Sequence, residues 1–260
     1  MIADKIDLGL IEEIARKAGD AIMEIYKGEF SVEMKENKSP LTAADKISNK
    51  IILEQLHIHY PGIPFISEES KAIEFEIRKN WSHCWLIDPI DGTKEFIKKN
   101  GEFTVNIALI ENGIPVLGVV YAPALKKMWS AKEGEGSFMT NEASARVLLI
   151  KRDDYYLLSK VRIIGSRSHM SIETENFIAR LKTQNKEIDF VSAGSSLKFC
   201  LLAEGNADVY PRFAPTMEWD TAAGHAVLKI AGGNVIEADT NLPLCYNKKN
   251  LLNPFFIAKW

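Results

Sequence analysis

Two β-rich runs, Phe103 to Ile110 and Ile114 to Tyr121, are separated only by Glu111, Asn112 and Gly113. Asn-Gly at that point supplies residues that accept positive φ, so the spacing predicts a β-hairpin. Shorter strands are expected at Pro64–Ser67, Trp85–Ile87 and Met128–Ala131, the last before an EGEG turn. Strands that follow one another in this way predict an antiparallel sheet, and a sheet needs further layers to cover it. The cover is available upstream. Residues 4 to 26 carry Ile6, Leu10, Ile14, Ala18, Ile22 and Ile25 at three- and four-residue spacing, an amphipathic helix. Thr42 and Asp45 have capping-box spacing ahead of Ile47, Ile51, Ile52 and Leu56, predicting a second helix to about His59, which Pro61-Gly62 ends.

From Val161 the pattern alternates. Strands are expected at VRIIGS, Ile188–Val191, Ala207–Tyr210 and Asn234–Glu237, and helices at SIETENFIARLK, Ser195–Glu204 and Asp220–Ala231. The predicted architecture is α/β: an α+β half over 1–155 and an α/β half over 156–260, packed as one body with a crevice between them. Lys plus Arg number 32 and Asp plus Glu 35, a net charge of −3, which excludes a nucleic-acid polymer as a partner held by bulk charge. No apolar run reaches bilayer length, and the N-terminus does not read as a signal peptide. Cys84, Cys200 and Cys245 are too few and scattered for a disulfide framework or zinc cluster, so the chain is expected to be intracellular and reduced.

The chemistry concentrates in WLIDPIDGTKEF, residues 85 to 96. Asp88 and Asp91 are three apart, but Pro89 and Gly92 argue against a regular helix there. The strand is expected to end at Asp88, the chain to turn, and a short helix to start near Thr93. Such a turn can aim two carboxylates at one point while presenting the N–H groups of Gly92 and Thr93. Mg²⁺ takes oxygen ligands and bridges carboxylate to phosphate, which reconciles the two. The pattern equally fits a turn whose Asp residues cap the backbone. Glu68 and Glu69 follow the strand PFIS, as further ligands or as a solvated acidic loop. Asp220 stands at the expected start of the helix DTAAGHAVLKIAGG, as its N-cap.

Together SEES (67–70), DPIDGT (88–93) and WDTAAG (219–224) resemble, in order and spacing, the inositol-monophosphatase superfamily of Mg²⁺-dependent, lithium-sensitive phosphatases. TAAD, DGTKEFIKKNGEFTVNIALI, GVVYAPA, GSSLKFCLLAEG and YPRF are similar to the 3′(2′),5′-bisphosphate nucleotidases within it. The resemblance implies a layered αβαβα sugar-phosphatase fold. It also implies two or three Mg²⁺ ions held by Glu68, Asp88, Asp91, Asp220 and the Ile90 carbonyl. Thr93, hydrogen-bonded to Asp45, would orient the attacking water, with Glu68 beside it and no covalent intermediate. Substrate contacts would come from Asp91, Gly92, Thr93, Asp220, His169, Ser195, Lys198 and Arg212, the last two holding the retained phosphate. The implied reaction removes the 3′-phosphate from adenosine 3′,5′-bisphosphate, or from its sulfated form, during sulfate assimilation. The implied location is cytoplasmic, with weak peripheral association with the inner face of the membrane left open, as is the oligomeric state. Inositol or sugar monophosphate is the alternative substrate class, and a non-catalytic sensor a remoter one.

Other phosphatase chemistries fit worse. The sixth residue after each cysteine is Ile90, Asn206 or Leu251, where a cysteine phosphatase needs Arg, and no GxxxxGK[ST] loop occurs. His57, His59 and His83 read as surface residues. His225 reads as packed or solvated, Cys200 and the Trp81–Trp85 segment as core, and Trp219 as packing behind Asp220.

Overall fold

A computed structural model describes residues 2–28, 31–34, 40–143, 145–165, 171–184 and 186–260. The helices are α1 (Leu8–Lys27), α2 (Ala43–His59), α3 (Phe75–Arg78), α4 (Thr93–Ile97), α5 (Ile172–Thr183), α6 (Leu197–Ala203) and α7 (Glu218–Ile230). The strands are β1 (Val32–Met34), β2 (Pro40–Thr42), β3 (Phe65–Ser67), β4 (His83–Asp91), β5 (Thr104–Glu111), β6 (Ile114–Ala122) and β7 (Lys127–Lys132). They continue with β8 (Gly136–Thr140), β9 (Arg146–Leu149), β10 (Lys160–Gly165), β11 (Glu187–Ser192), β12 (Val209–Arg212), β13 (Asn234–Glu237) and β14 (Phe256–Lys259).

The hairpin forms where the spacing predicts it: β5 pairs with β6, and Asn112 and Gly113 take φ of 50° and 80° in the turn. It is the centre of a seven-stranded sheet ordered β3-β4-β5-β6-β7-β8-β9, antiparallel except for the β3–β4 pair. One face is covered by α1 and α2. Asp7 caps α1 by accepting from the N–H groups of Gly9 and Leu10, and Ile11, Ile14, Ala18 and Ile22 are buried along one stripe. The capping box at Thr42 and Asp45 opens α2.

The other face is covered by α6 and α7, which also pack on the second sheet. Gly118 makes the close approach: a Cβ there would lie 2.5 Å from the Ala223 carbonyl of α7. The second sheet is ordered β11-β10-β12-β14-β13, with β10 parallel to β11 and β12, and β14 antiparallel to its neighbours. Helix α5 lies against it. The five layers are therefore α1–α2, sheet, α6–α7, sheet, α5, the αβαβα arrangement expected.

Several local expectations need correction. β8, β9 and β14 were not anticipated, because their apolar runs are short or, in β9, mostly solvent-exposed. The helix expected from Ser195 starts at Leu197; Ser195 sits at φ 41°, outside helical space. His225 is buried, with Nδ1 2.9 Å from the Tyr246 hydroxyl, and burial pushes its pKa down to about 3. As expected, Cys200, Trp85 and, partly, Trp81 lie in the core. Among the described residues no helix is long and apolar enough to cross a membrane.

Candidate active site

The end of β4 departs from the predicted turn. The strand continues to Asp91, and its pairing with β5 slips between Asp88, opposite Asn106, and Asp91, opposite Thr104. Pro89 has no N–H to give the ladder, so the irregularity falls there, and the Ile90 N–H turns back to Asp88 Oδ1 at 3.1 Å. Gly92, at φ 89°, then swings the chain into α4. A Cβ at this glycine would lie 3.1 Å from both the Glu102 carbonyl and Ser195 Cβ.

Parallel pairing of β3 with β4 brings their C-terminal ends together, and the Glu68 N–H bonds the Ile87 carbonyl at 3.2 Å. Asp220 arrives from the opposite layer. It is the third residue of α7 rather than its N-cap, and its Oδ2 accepts from the Met217 N–H at 2.9 Å. The helix starts earlier because Glu218, fully buried, is held by the N–H groups of Asn247 and Lys248 and by Lys248 Nζ. Glu68, Asp88 and Asp220 thus each offer a carboxylate oxygen within 4.8 Å of one another. Glu69, the other half of the expected pair, is not in this group.

A cavity of about 510 Å³ opens over these acids and is also lined by Ile90, Asp91, Gly92, Thr93, Ser195, Lys198 and Arg212. Its size suits a nucleotide-scale ligand. Thr93 Oγ1 lies 3.4 Å from Asp45 Oδ1 and 3.3 Å from the Ile90 carbonyl. Asp45 makes both contacts expected of it: its Oδ2 takes the N–H and hydroxyl of Thr42, each at 2.7 Å, while Oδ1 faces Thr93. His169 lies outside the described residues.

Burial raises the pKa of Asp88 well above the carboxylate range, and the charges of Glu68, Asp91, Asp220 and Asp45 add to the effect. Burial likewise raises Asp91, against hydrogen bonds from Ser196, and lifts Asp220 to about 8 with help from Asp91. Buried oxygens crowded against their own charge suit a divalent cation with oxygen ligands. A pH dependence follows. A carboxyl that holds its proton longer when folded stabilises the fold at low pH and loses that contribution as pH rises through its folded pKa. His225, depressed when folded, acts oppositely below about pH 6.5. Without divalent cation, Tm should therefore fall between pH 6.5 and 8, by the equivalent of about 2 kcal/mol at 1.36 per unit. Mg²⁺ should raise Tm more at pH 8 than at pH 6.5. Scanning calorimetry with and without EDTA checks both; a flat Tm across this window would refute the assignment.

Lys198, expected to hold the retained phosphate, is 6% exposed, and Nζ donates to the carbonyls of Ala193 (3.2 Å) and Ser195 (2.7 Å). Burial lowers its pKa to about 8, with Asp91 pulling the other way. The Arg212 guanidinium donates to the Ala214 and Pro215 carbonyls at 3.2 and 3.0 Å. Both cations are fixed in place before any ligand arrives. Trp219 is partly buried against the core beside Asp220. Sequence reasoning passed over Ser196, Asn106 and Glu218, all buried around the acids. Asn106 was visible as the one amide inside the apolar run TVNIALI; Ser196 was masked by its neighbour Ser195.

The inositol monophosphatase family matches residues 7–255. The 3′(2′),5′-bisphosphate nucleotidase CysQ of Salmonella typhimurium is 48% identical over 246 residues, 94% of this chain and 96% of that protein. The crystal structure of CysQ from Bacteroides thetaiotaomicron superposes with a TM-score of 0.84 at 43% identity, covering 97% and 96% of the two chains. The extragenic suppressor protein SuhB from Bartonella henselae follows at TM-score 0.75 and 26% identity, covering 96% and 92%. With the family matching nearly the whole of it and relatives this similar along 94% of its length, the chain belongs to the inositol monophosphatase family.

Proposed function

We propose that the protein is a Mg²⁺-dependent 3′(2′),5′-bisphosphate nucleotidase that removes the 3′-phosphate of adenosine 3′,5′-bisphosphate. The observation that carries this reading is one cavity with two kinds of charge. A set of acids suits a metal and a scissile phosphate, and two anchored cations, Lys198 and Arg212, suit a phosphate that is kept. A monophosphate substrate has no second phosphate for those cations to hold. The names of the relatives at 47–48% identity point to the same substrate.

Glu68, Asp88, Asp91, Asp220 and the Ile90 carbonyl would hold Mg²⁺. When bound, Mg²⁺ lowers the pKa of water and offsets charge on the attacking and leaving oxygens. Thr93 acts on the nucleophile. Its hydroxyl proton is directed at Asp45 or Ile90, so an Oγ1 lone pair is left to accept from a water and aim it at phosphorus. Lys198 and Arg212 orient the nucleotide through the retained phosphate, placing the scissile one over the acids. Ser195 and Gly92, which also line the cavity, complete the contacts.

The direct test is phosphate release from adenosine 3′,5′-bisphosphate, inositol monophosphate and a sugar bisphosphate, with and without Mg²⁺. Preference for inositol phosphate would overturn the substrate. Arg212→Ala should raise KM for the nucleotide at least about tenfold, the loss of one charge-assisted phosphate contact, with a smaller change in kcat. An unchanged KM would remove Arg212 from the site.

A further inference from the structure

Ser196 stands where three ligand-bearing segments meet. It is 2% exposed and immediately precedes α6. Its Oγ lies 2.7 Å from Asp91 Oδ2 at the end of β4, and 2.7 Å from the main-chain carbonyl of Asp220 in α7. Asn106, on β5 directly opposite Asp88, donates Nδ2 to the same Oγ at 2.9 Å and is 1% exposed.

A serine hydroxyl has one proton. Because Asn106 occupies the oxygen as a donor, that proton is left to the side of Asp91 and the Asp220 carbonyl. The amide bears a cost for this: its Oδ1 is buried with no hydrogen-bond partner. A buried acceptor left unsatisfied calls for a compensating role. Turning the amide around would satisfy nothing on the far side and would make Ser196 donate to Asn106, withdrawing the proton from Asp91.

We infer that Ser196, oriented by Asn106, is a positioning residue that pins one oxygen of Asp91 and ties it to the first turn of α7, so that Asp91 and Asp220 hold a fixed separation for Mg²⁺. This rests on the proposed function. Neither residue touches the reacting atoms. Both act through Asp91 and Asp220, and groups that orient ligands in this way typically change metal affinity by about 10–100-fold.

The test is a Mg²⁺ titration of the full chain followed by thermal shift, beside the Mg²⁺ dependence of kcat. Ser196→Ala should move the Mg²⁺ midpoint up at least about tenfold in both measurements, while Tm without metal changes little and kcat at saturating Mg²⁺ largely recovers. Asn106→Ala should move it in the same direction by less. The double variant should be no worse than Ser196→Ala, because Asn106 acts only through that hydroxyl. A Ser196→Ala midpoint equal to wild type overturns the inference and leaves the proposed function standing. Additive effects in the double variant overturn the relay from Asn106. A wild-type chain whose Tm ignores Mg²⁺ removes the metal site and the inference with it. Should Ser196→Ala fail to fold, Asn106→Ala carries the same comparison.

Discussion

Asp88→Asn should lower kcat by at least about a thousandfold and yet make the metal-free protein more stable at pH 8 than wild type. The side chain is 1% exposed, and Asn keeps its shape and the Oδ1 acceptor for the Ile90 N–H. What it removes is charge. Asp88 lies among Glu68, Asp91, Asp220 and Asp45, and burial with their repulsion raises its pKa. A neutral amide relieves that repulsion in the absence of metal, and for the same reason would lose the ligand proposed to draw Mg²⁺ to the group. Phosphate release at saturating Mg²⁺ and melting in EDTA measure the two halves. Turnover within tenfold of wild type would remove Asp88 from the chemistry; a lower metal-free Tm would show that its charge is compensated by something other than a cation.

Glu218→Ala should cost about 3–5 kcal/mol of folding stability, read as a lower urea midpoint. Glu218 is completely buried and accepts from the Asn247 N–H (2.5 Å), the Lys248 N–H (3.0 Å) and Lys248 Nζ (2.6 Å). Truncation leaves two backbone donors without this acceptor and a cation without its carboxylate. The same loop is gripped from the other side by Arg78, 3% exposed, which donates to Asn247 Oδ1 and to the Lys248 and Lys249 carbonyls. Arg78 ends the segment that follows Glu68, and Glu218 precedes Asp220 by two residues, so this buried network joins the supports of two members of the acidic group. The variant should therefore also need more Mg²⁺ for half-maximal rate. Glu218→Gln, which keeps an acceptor, should lose less than half as much stability. A loss below about 1 kcal/mol for the Ala variant would contradict the network.

Local rules located most elements because their causes are local. The Asn112-Gly113 turn, the Thr42–Asp45 box and the stripe of Ile14, Ala18 and Ile22 are short-range steric and hydrogen-bond facts. Where the expectations failed, a distant contact had intervened. Asp220 was expected to cap its helix, but the helix begins two residues earlier because Glu218 is drawn into bonds with residues 247 and 248. Lys198 is buried because α6 packs between the two sheets, leaving only Leu201 of the helix partly exposed.

The acids and cations at issue could all be named from the linear chain, through local spacing and family resemblance. Their meeting point could not. Glu68 reaches Asp88 through parallel pairing of β3 with β4, and Asp220 arrives on a helix from another layer, more than a hundred residues later in the chain. A carboxylate in isolation is an ordinary solvated charge. Folding takes these out of water and sets them against one another, and that turns a motif into a candidate cation site. The opening hairpin shows the same division: Asn-Gly determines that β5 and β6 turn back on each other, while the layers above and below decide that Asn106, in the middle of β5, faces Ser196 and not water.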